Sequence, residues 1–244
     1  MTAVVLLHAF PVNHHLWDGQ IEYLRGVGYT VFAPDVGGFG DSALPGSPSL
    51  LQMVTPVLTR LNKPAVFVGV SMGGYLLMEV LRKAPDKVAG AIFVDTKATA
   101  DAPEARRVRF KMAQRMDAAP DTAGLADELL PNLLGATTRE SRPEVVGAVR
   151  QMIDDASPAA VANAQRTMAD RLDSVPVLRS YDGLAAVVWG SEDTLSPRAE
   201  QQIMLDAMPQ AVGREIPGAG HLSVIEDPAA ANDVLLEILR DWLP

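Results

Sequence analysis

The segment AVFVGVSMGGYLLMEVLRK, residues 65–83, decides how the rest of the sequence is interpreted. Its first six residues are apolar and rich in valine, which predicts a strand buried on both faces. The run ends at Ser71, which lies between Gly69 and Gly73 in a G-x-S-x-G pattern and is followed by a helical pattern. Glycines two positions from the serine suit a very sharp strand-to-helix turn, because neighbouring backbone there excludes side chains. A turn with a capping serine is the alternative, but the strand before the motif and the helix after it favour a nucleophile.

A serine hydroxyl is a poor nucleophile without a base, and the sequence contains four histidines. His8, His14 and His15 fall at or just after the first predicted strand. His221 lies in the glycine-flanked loop IPGAGHLSVIEDP, between the last predicted strand and the last predicted helix, and we predict that it is the base. Asp193, in GSEDTLSP directly after the fifth predicted strand, is the predicted carboxylate that fixes its tautomer. The order along the chain is therefore serine, acid, histidine.

Two other patterns resemble a dinucleotide-binding site and a metal site, but each lacks a part that such a site requires. Gly38, Gly40 and Ala43 satisfy a loose dinucleotide-binding pattern, but LPGSP follows where the required helix must begin. His14 and His15 are adjacent and have no evident third metal ligand, so we interpret them as surface or pocket-rim residues. We predict that the protein uses neither a cofactor nor a metal ion.

Composition excludes several classes of function. The 244 residues are 48% hydrophobic and carry a formal net charge of −9, which supports a full core and argues against a nucleic-acid partner. With no cysteine, the chain cannot form disulfides, thiolate zinc sites, iron–sulfur clusters or a cysteine nucleophile. No segment is long and apolar enough to span a membrane, and MTAVVLLHAF reads as a first strand and not as a signal peptide. We expect a cytoplasmic location.

Six short apolar runs, beginning at residues 3, 29, 65, 88, 184 and 211, predict an α/β fold with a mostly parallel six-stranded sheet flanked by helices. Helix starts are predicted where a capping side chain precedes a proline, at Ser157, Ser196 and Asp227, and at two capping boxes, Asp101 with Glu104 and Ser141 with Glu144. Residues 96–176 show four helical patterns and no strand, so we predict a helical cap over the carboxyl ends of the strands. The predicted division is a core of residues 1–95 and 177–244 with a cap of residues 96–176.

When a serine attacks a carbonyl carbon, negative charge develops on the carbonyl oxygen, and the site must supply hydrogen-bond donors for that oxygen. One expected donor is the N–H of Met72, and the other is the N–H of Phe10 in the loop HAFP after the first strand. Here the sequence resembles the α/β-hydrolase family, whose oxyanion loop typically reads H-G-x-P, with Ala9 in place of the glycine. PDVGGFGDS at residue 34 is similar to the loop after the family's second core strand, and the resemblance covers nearly the whole chain.

Within that family the chain looks closest to the 3-oxoadipate enol-lactonase and small carboxylesterase group. The resemblance implies a serine hydrolase that cleaves a small carboxylic ester or lactone through an acyl-serine intermediate. Because some members place their acid after the fourth of these strands, Asp95 is an alternative to Asp193. Other functions that the same three residues allow are a cofactor-free, haloperoxidase-like perhydrolase, a carbon–carbon bond hydrolase, and a ligand-binding receptor that retains the triad.

The substrate and the oligomeric state stay open at this point. The predicted cap is rich in arginine, which would suit a carboxylate-bearing lactone if one side chain pointed inward, although solvated helix faces explain most of these residues: Arg106, Arg107, Arg109, Arg115, Arg139, Arg142, Arg150, Arg166 and Arg171.

Overall fold

The computed structural model describes residues 2–243, and its centre is a six-stranded sheet. The strands lie in the order β2-β1-β3-β4-β5-β6, and every neighbouring pair is parallel. The predicted α/β fold is therefore confirmed, with a sheet that is wholly parallel in the described residues. The strands are β1 Ala3–Leu7, β2 Thr30–Phe32, β3 Ala65–Val70, β4 Val88–Val94, β5 Ala185–Gly190 and β6 Val212–Ile216.

Burial along the strands follows their position in the sheet. All six residues of β3 and all six of β5 are buried, as expected for strands covered by helices on both faces. In β6, at the edge, only Ile216 is buried. The continuous apolar runs therefore identified the inner strands, and their carboxyl ends meet at one edge of the sheet.

Helices cover both faces of the sheet and fill the long connection between β4 and β5. They are α1 Asp18–Gly26, α2 Leu50–Leu58, α3 Met72–Lys83, α4 Pro103–Ala118, α5 Leu125–Leu133, α6 Ala136–Ser141, α7 Pro143–Asp154, α8 Pro158–Ala169, α9 Val175–Arg179, α10 Arg198–Ala207, α11 Ser223–Glu226 and α12 Pro228–Trp242. Short 3₁₀ helices span His14–Trp17 and Pro85–Lys87.

The connection from β4 to β5 contains six helices, α4 to α9, and no strand in the part of the chain that the structure describes. The sequence showed only four helical patterns there, because the six residues of α6 and the five of α9 are too short to display a period of 3.6. Helix α4 packs against α8, and α5 packs against α7. The division into a core and a cap at residues 96 and 176 stays a prediction.

Of the five predicted helix-capping side chains, Asp227 and Ser157 are confirmed, and Ser196, Asp101 and Ser141 are wrong. Asp227 accepts a hydrogen bond from the Ala230 N–H (3.0 Å) and caps α12 as expected. Ser196 does not cap α10, which begins at Arg198; its hydroxyl donates instead to Asp193 (2.5 Å) in the same loop. Asp101 does not cap α4, whose first turn follows Ala102 without a side-chain cap. Both side chains instead take part in the polar contacts described below.

None of the described helices combines the length and the hydropathy that crossing a bilayer requires.

Candidate active site

Ser71 stands on a strained turn between β3 and α3. Its backbone has φ 53° and ψ −111°, a left-handed conformation that a non-glycine residue rarely adopts. A Cβ atom added to Gly69 would overlap the carbonyl oxygen of Gly73, and one added to Gly73 would overlap the carbonyl oxygen of Leu7. The Ser71 N–H donates to the Val94 carbonyl (2.9 Å), which fixes the turn to the end of β4. The two glycines therefore allow the close packing that holds the hydroxyl at the sheet edge.

The structure brings Ser71, His221 and Asp193 together. Ser71 Oγ lies 2.7 Å from His221 Nε2, and both oxygens of Asp193 lie 2.9 Å from His221 Nδ1. Ser71 leaves β3, Asp193 follows β5, and His221 follows β6, so three loops at the carboxyl edge supply the three side chains. All three are buried, with exposed fractions of 8%, 7% and 4% in the order serine, aspartate, histidine.

Asp193 is held in its ionised form by several donors. It accepts hydrogen bonds from the N–H groups of Leu195 (2.8 Å) and Ser196 (3.1 Å) and from the Ser196 hydroxyl (2.5 Å). Burial alone would raise the pKa of this carboxyl, but the charge of His221 and the hydrogen bonds from His221 and Ser196 lower the pKa to about 2. Asp193 is therefore charged at neutral pH and can only accept.

The charge of Asp193 determines the proton positions on His221. Because an ionised carboxylate cannot donate, Nδ1 must carry the hydrogen that points to Asp193, and Nε2 is then free to accept the Ser71 hydroxyl proton. Burial acts to lower the pKa of His221, but the charge and hydrogen bond of Asp193 outweigh it and raise the pKa above its ordinary value. The imidazole is thus oriented and basic.

Asp95, the alternative acid, lies in the same region but bonds to different groups. Its side chain accepts from the Gly190 N–H (2.8 Å) and from the N–H (2.9 Å) and hydroxyl (2.6 Å) of Ser223. Burial and then the neighbouring charge of Asp193 raise the pKa of Asp95 to about 8. At neutral pH Asp95 is therefore mainly protonated, and no hydrogen bond joins it to His221 in the described residues. It connects the end of β5 to the residues after His221.

The other three histidines have local partners. His8 is fully buried, with Nδ1 2.9 Å from the Ala9 carbonyl and Nε2 3.0 Å from the Val36 N–H, and burial lowers its pKa. His14 pairs with Asp35 (2.9 Å) and His15 with Asp18 (2.9 Å). In residues 2–243 no group of three or more His, Asp or Glu side chains has the arrangement of a metal site.

Phe10 and Met72 stay the predicted oxyanion donors, and the structure gives their positions. Phe10 lines the same cavity as Ser71, and Met72 is the first residue of α3. Neither backbone N–H donates to a protein acceptor within the described residues. Both amides can therefore serve a carbonyl oxygen of a bound molecule.

Ser71 and His221 open into a cavity of about 350 Å³. Its wall is largely apolar and is supplied mainly by the helices between β4 and β5: Ala105, Val108, Met112, Leu129, Leu133 and Met168. Val108 is 54% exposed because it faces this open space and not a packed neighbour. The volume suits a small molecule.

Sequence reasoning missed the buried carboxylate of Glu226, which holds the loop around His221. Its Oε1 accepts from the N–H groups of Gly220 (2.9 Å) and Leu222 (3.1 Å), one on each side of His221. Its Oε2 accepts from the Gly135 N–H (2.8 Å), which precedes α6. The only signal in the sequence is an acidic residue five positions after the histidine, and that spacing alone does not distinguish a buried side chain from an exposed one.

The chain is similar to known proteins over most of its length. The profile of a family described as alpha/beta hydrolase fold matches residues 2–228. A solved thermophilic esterase from Thermogutta terrifontis, in a malate-bound form, is 34% identical, with a TM-score of 0.94 over 100% of this chain and 91% of that one. The enol-lactonase from Burkholderia xenovorans LB400 is 23% identical, with a TM-score of 0.89 over 98% of this chain and 91% of that one, a likeness of fold.

Among curated sequences, the pimeloyl-[acyl-carrier protein] methyl ester esterase of Aromatoleum aromaticum is 24% identical over 249 residues. The match covers 97% of this chain and 98% of that protein.

Proposed function

The chain belongs to the alpha/beta hydrolase fold family, and we propose that it is a serine hydrolase that cleaves a small carboxylic ester or lactone through an acyl-Ser71 intermediate. The observation that carries the proposal is the continuous chain of contacts from Ser71 Oγ to His221 Nε2 (2.7 Å) and from His221 Nδ1 to Asp193 (2.9 Å). The esterase and lactonase activities of similar proteins support the same class of bond.

In the first half of the reaction, His221 Nε2 takes the hydroxyl proton as Ser71 Oγ attacks the carbonyl carbon. The imidazolium that forms is stabilised by Asp193, whose low pKa keeps it ionised throughout. The negative charge on the carbonyl oxygen is met by the N–H groups of Phe10 and Met72. When the tetrahedral intermediate collapses, the C–O bond to the alcohol breaks and Nε2 returns the proton to the leaving oxygen.

In the second half, water enters the position that the alcohol has left. His221 Nε2 removes a proton from this water, which attacks the acyl carbon, and the same two amides stabilise the second tetrahedral intermediate. Collapse releases the carboxylic acid and restores the Ser71 hydroxyl. For a lactone, the alcohol and the acid stay in one molecule, and a hydroxy acid is the product.

We propose that the helices between β4 and β5 form the roof of the substrate pocket and select the acyl group. Residues of α4, α5 and α8 line the cavity that contains Ser71 and His221, and most of them are apolar. The cavity of about 350 Å³ favours substrates with a short acyl chain.

The proposal is tested with p-nitrophenyl esters of two- to eight-carbon acids and with simple lactones. We expect continuous turnover by the wild-type protein. The Ser71→Ala variant should lose about 10⁶-fold in kcat, as in serine proteases whose nucleophile is removed. Release of a single equivalent of p-nitrophenol without turnover would favour a receptor, and oxidation products formed only with added peroxide would favour a perhydrolase. Wild-type activity in Ser71→Ala would refute the acyl-enzyme mechanism.

A further inference from the structure

Three charged residues contribute to the otherwise largely apolar wall of the cavity. Lys97, Asp101 and Arg109 line the same space as Ser71 and His221, and Arg171 contacts Asp101 from behind. We call these four residues the cation cluster. Arg109 Nε lies 2.5 Å from Asp101 Oδ2, Arg171 Nη1 lies 2.8 Å from Asp101 Oδ1, and Lys97 Nζ lies 3.6 Å from that same oxygen.

The charges of the cation cluster do not cancel. Burial acts to raise the pKa of Asp101, but the charges of Arg109 and Arg171 outweigh it and lower the pKa, so Asp101 contributes one negative charge. Within residues 2–243 no other carboxylate lies within 4.0 Å of any of the three cations. The cluster therefore carries two surplus positive charges, in a protein whose formal net charge is −9.

The three cations differ in what they contribute to the fold. The Arg171 side chain is only 3% exposed; it donates to the carbonyls of Met168 (3.0 Å) and Thr99 (2.8 Å) and lies over the Tyr75 ring. Arg171 is thus structural, and its charge acts at a distance.

Lys97 makes no such contacts. Its ammonium is beyond hydrogen-bond distance from Asp101 and donates to no other group in the described part of the chain, and its side chain is 20% exposed. An ammonium has three donors, and leaving them without acceptors in a partly desolvated wall is unfavourable. A ligand that brings an anionic oxygen to Lys97 would satisfy these donors and offset the surplus charge.

We infer that the cation cluster is an anion subsite and that the substrate is a short ester or lactone that carries a second, ionised carboxylate. The inference rests on the proposed function, since it takes the cavity beside Ser71 as the place where the ester binds. Lys97 and the outer part of the Arg109 guanidinium bind the carboxylate, and the apolar wall contacts the carbon chain between the carboxylate and the ester. A neutral ester of the same size would leave the surplus charge uncompensated.

A binding experiment tests the subsite without requiring turnover. Succinate and glutarate, which have two carboxylates and no ester, are titrated calorimetrically into the wild type and into Lys97→Met, Lys97→Arg and Lys111→Met. Lys111 is the matched control, because it is exposed on the same helix as Arg109 and its loss changes the net charge equally.

We expect at least one diacid to bind the wild type and Lys97→Arg, and Lys97→Met to weaken it by roughly tenfold or more, the usual effect of a charge-assisted hydrogen bond. Lys111→Met should bind like the wild type, and 0.5 M NaCl should weaken binding to the wild type. Equal affinities of Lys97→Met and wild type, or binding of neither diacid, would overturn the subsite.

A kinetic experiment then places the subsite in the reaction. Two matched pairs of esters are compared: monomethyl glutarate with methyl valerate, where the carboxylate is on the acid side, and butyryl glycolate with ethyl butyrate, where it is on the alcohol side. We expect kcat/KM to favour the anionic member of one pair in the wild type, and Lys97→Met to reduce that preference about tenfold.

The two proposals fail separately. Diacid binding that depends on Lys97, with no hydrolysis of any ester, would refute the serine hydrolase and leave the anion subsite. Hydrolysis of neutral and anionic esters with ratios that Lys97→Met does not change would refute the subsite and leave the hydrolase.

Discussion

Replacing Asp193 and Asp95 in turn by asparagine separates the acid of the reaction from its buried neighbour. In Asp193→Asn the new amide keeps an oxygen for the N–H groups that Asp193 now binds, so the loop should retain its shape. Its NH₂ group, however, must face His221 Nδ1 or the Ser196 hydroxyl. If it faces Nδ1, it forces the imidazole proton onto Nε2, where it points at Ser71. Loss of the carboxylate and of the correct tautomer should lower kcat by about 10⁴, which corresponds to about 5.5 kcal/mol of activation free energy.

Asp95→Asn should affect stability more than catalysis. The substitution removes no hydrogen bond to His221, because Asp95 makes none in the described residues. Asp95 accepts from three donors, the Gly190 N–H and the N–H and hydroxyl of Ser223, and at least one of them would face the new NH₂ group in place of an oxygen. An unsatisfied buried donor costs about 1–3 kcal/mol, and the lower end applies because Asp95 is mainly protonated at neutral pH. We expect kcat to fall by less than about tenfold.

The same variant tests the raised pKa of Asp95. In the unfolded chain this carboxyl ionises near its ordinary pKa, whereas in the folded protein it ionises near pH 8, so the folded state binds more protons between these values. The contribution of Asp95 to stability is therefore complete below about pH 4 and is lost as the pH rises toward 8. Asp95→Asn should remove this part of the pH dependence.

The assays are initial rates on p-nitrophenyl butyrate for both variants and urea unfolding monitored from pH 5 to 8. A crippled Asp95→Asn beside a nearly normal Asp193→Asn would refute the assignment of the acid. An unfolding free energy whose pH dependence is the same in Asp95→Asn and the wild type would refute the assigned protonation state.

Three further predictions follow from the site. Since His221 must be neutral to accept the Ser71 proton and its pKa is raised, kcat/KM should rise with pH through an inflection above 6.5, and an inflection below 6 would contradict the predicted base. Met112→Trp should change the order of kcat/KM among esters of different acyl chain length, whereas Lys111→Trp on the exposed side of the same helix should not. If a folded Met112→Trp protein keeps the wild-type order, α4 is distant from the bound acyl chain. Glu226→Ala should lower both the unfolding free energy, by at least about 1–3 kcal/mol, and kcat, because the N–H groups of Gly220 and Leu222 on either side of His221 lose their acceptor; unchanged kcat would show that Glu226 does not position the base.

The fold could be predicted because the inner strands are short and apolar throughout. β3 and β5 were located within a residue, since burial on both faces leaves no polar positions to confuse the pattern. β2 was predicted from a longer run and is limited to Thr30–Phe32. The residues after it form a loop in which Asp35 accepts a hydrogen bond from the His14 N–H. The βαβ pattern predicted parallel pairing, but it did not specify the order β2-β1-β3-β4-β5-β6.

The three residues of the candidate triad could be found because each follows a recognisable strand, and parallel strands bring their carboxyl ends together. Their supporting residues could not. Ser196 and Asp101 looked like helix caps, since capping depends on neighbours in sequence. Ser196 instead bonds to Asp193 beside His221, which is 25 positions away, and Asp101 pairs with Arg109 and with Arg171, which is 70 positions away. Local patterns contain no information about such contacts.

The same limit applies to the arginines between β4 and β5. Most of them pair with acidic residues near the surface, as Arg106 does with Asp170 and Arg150 with Asp127. Only Arg109 of the nine lines the cavity in the described residues. Its inward direction depends on how α4 packs against α8, which the sequence pattern did not specify.

Trapping a covalent bond at Ser71 is the direct test of the proposed acyl-Ser71 intermediate. Wild type and Ser71→Ala are treated with a fluorophosphonate, which reacts with serines activated by a neighbouring base, and are analysed by intact mass spectrometry followed by peptide mapping. We expect one adduct per wild-type chain, located on Ser71, with simultaneous loss of ester hydrolysis, and no adduct on Ser71→Ala. An unmodified wild-type protein, or an adduct on another residue with activity lost, would contradict the acyl-Ser71 mechanism.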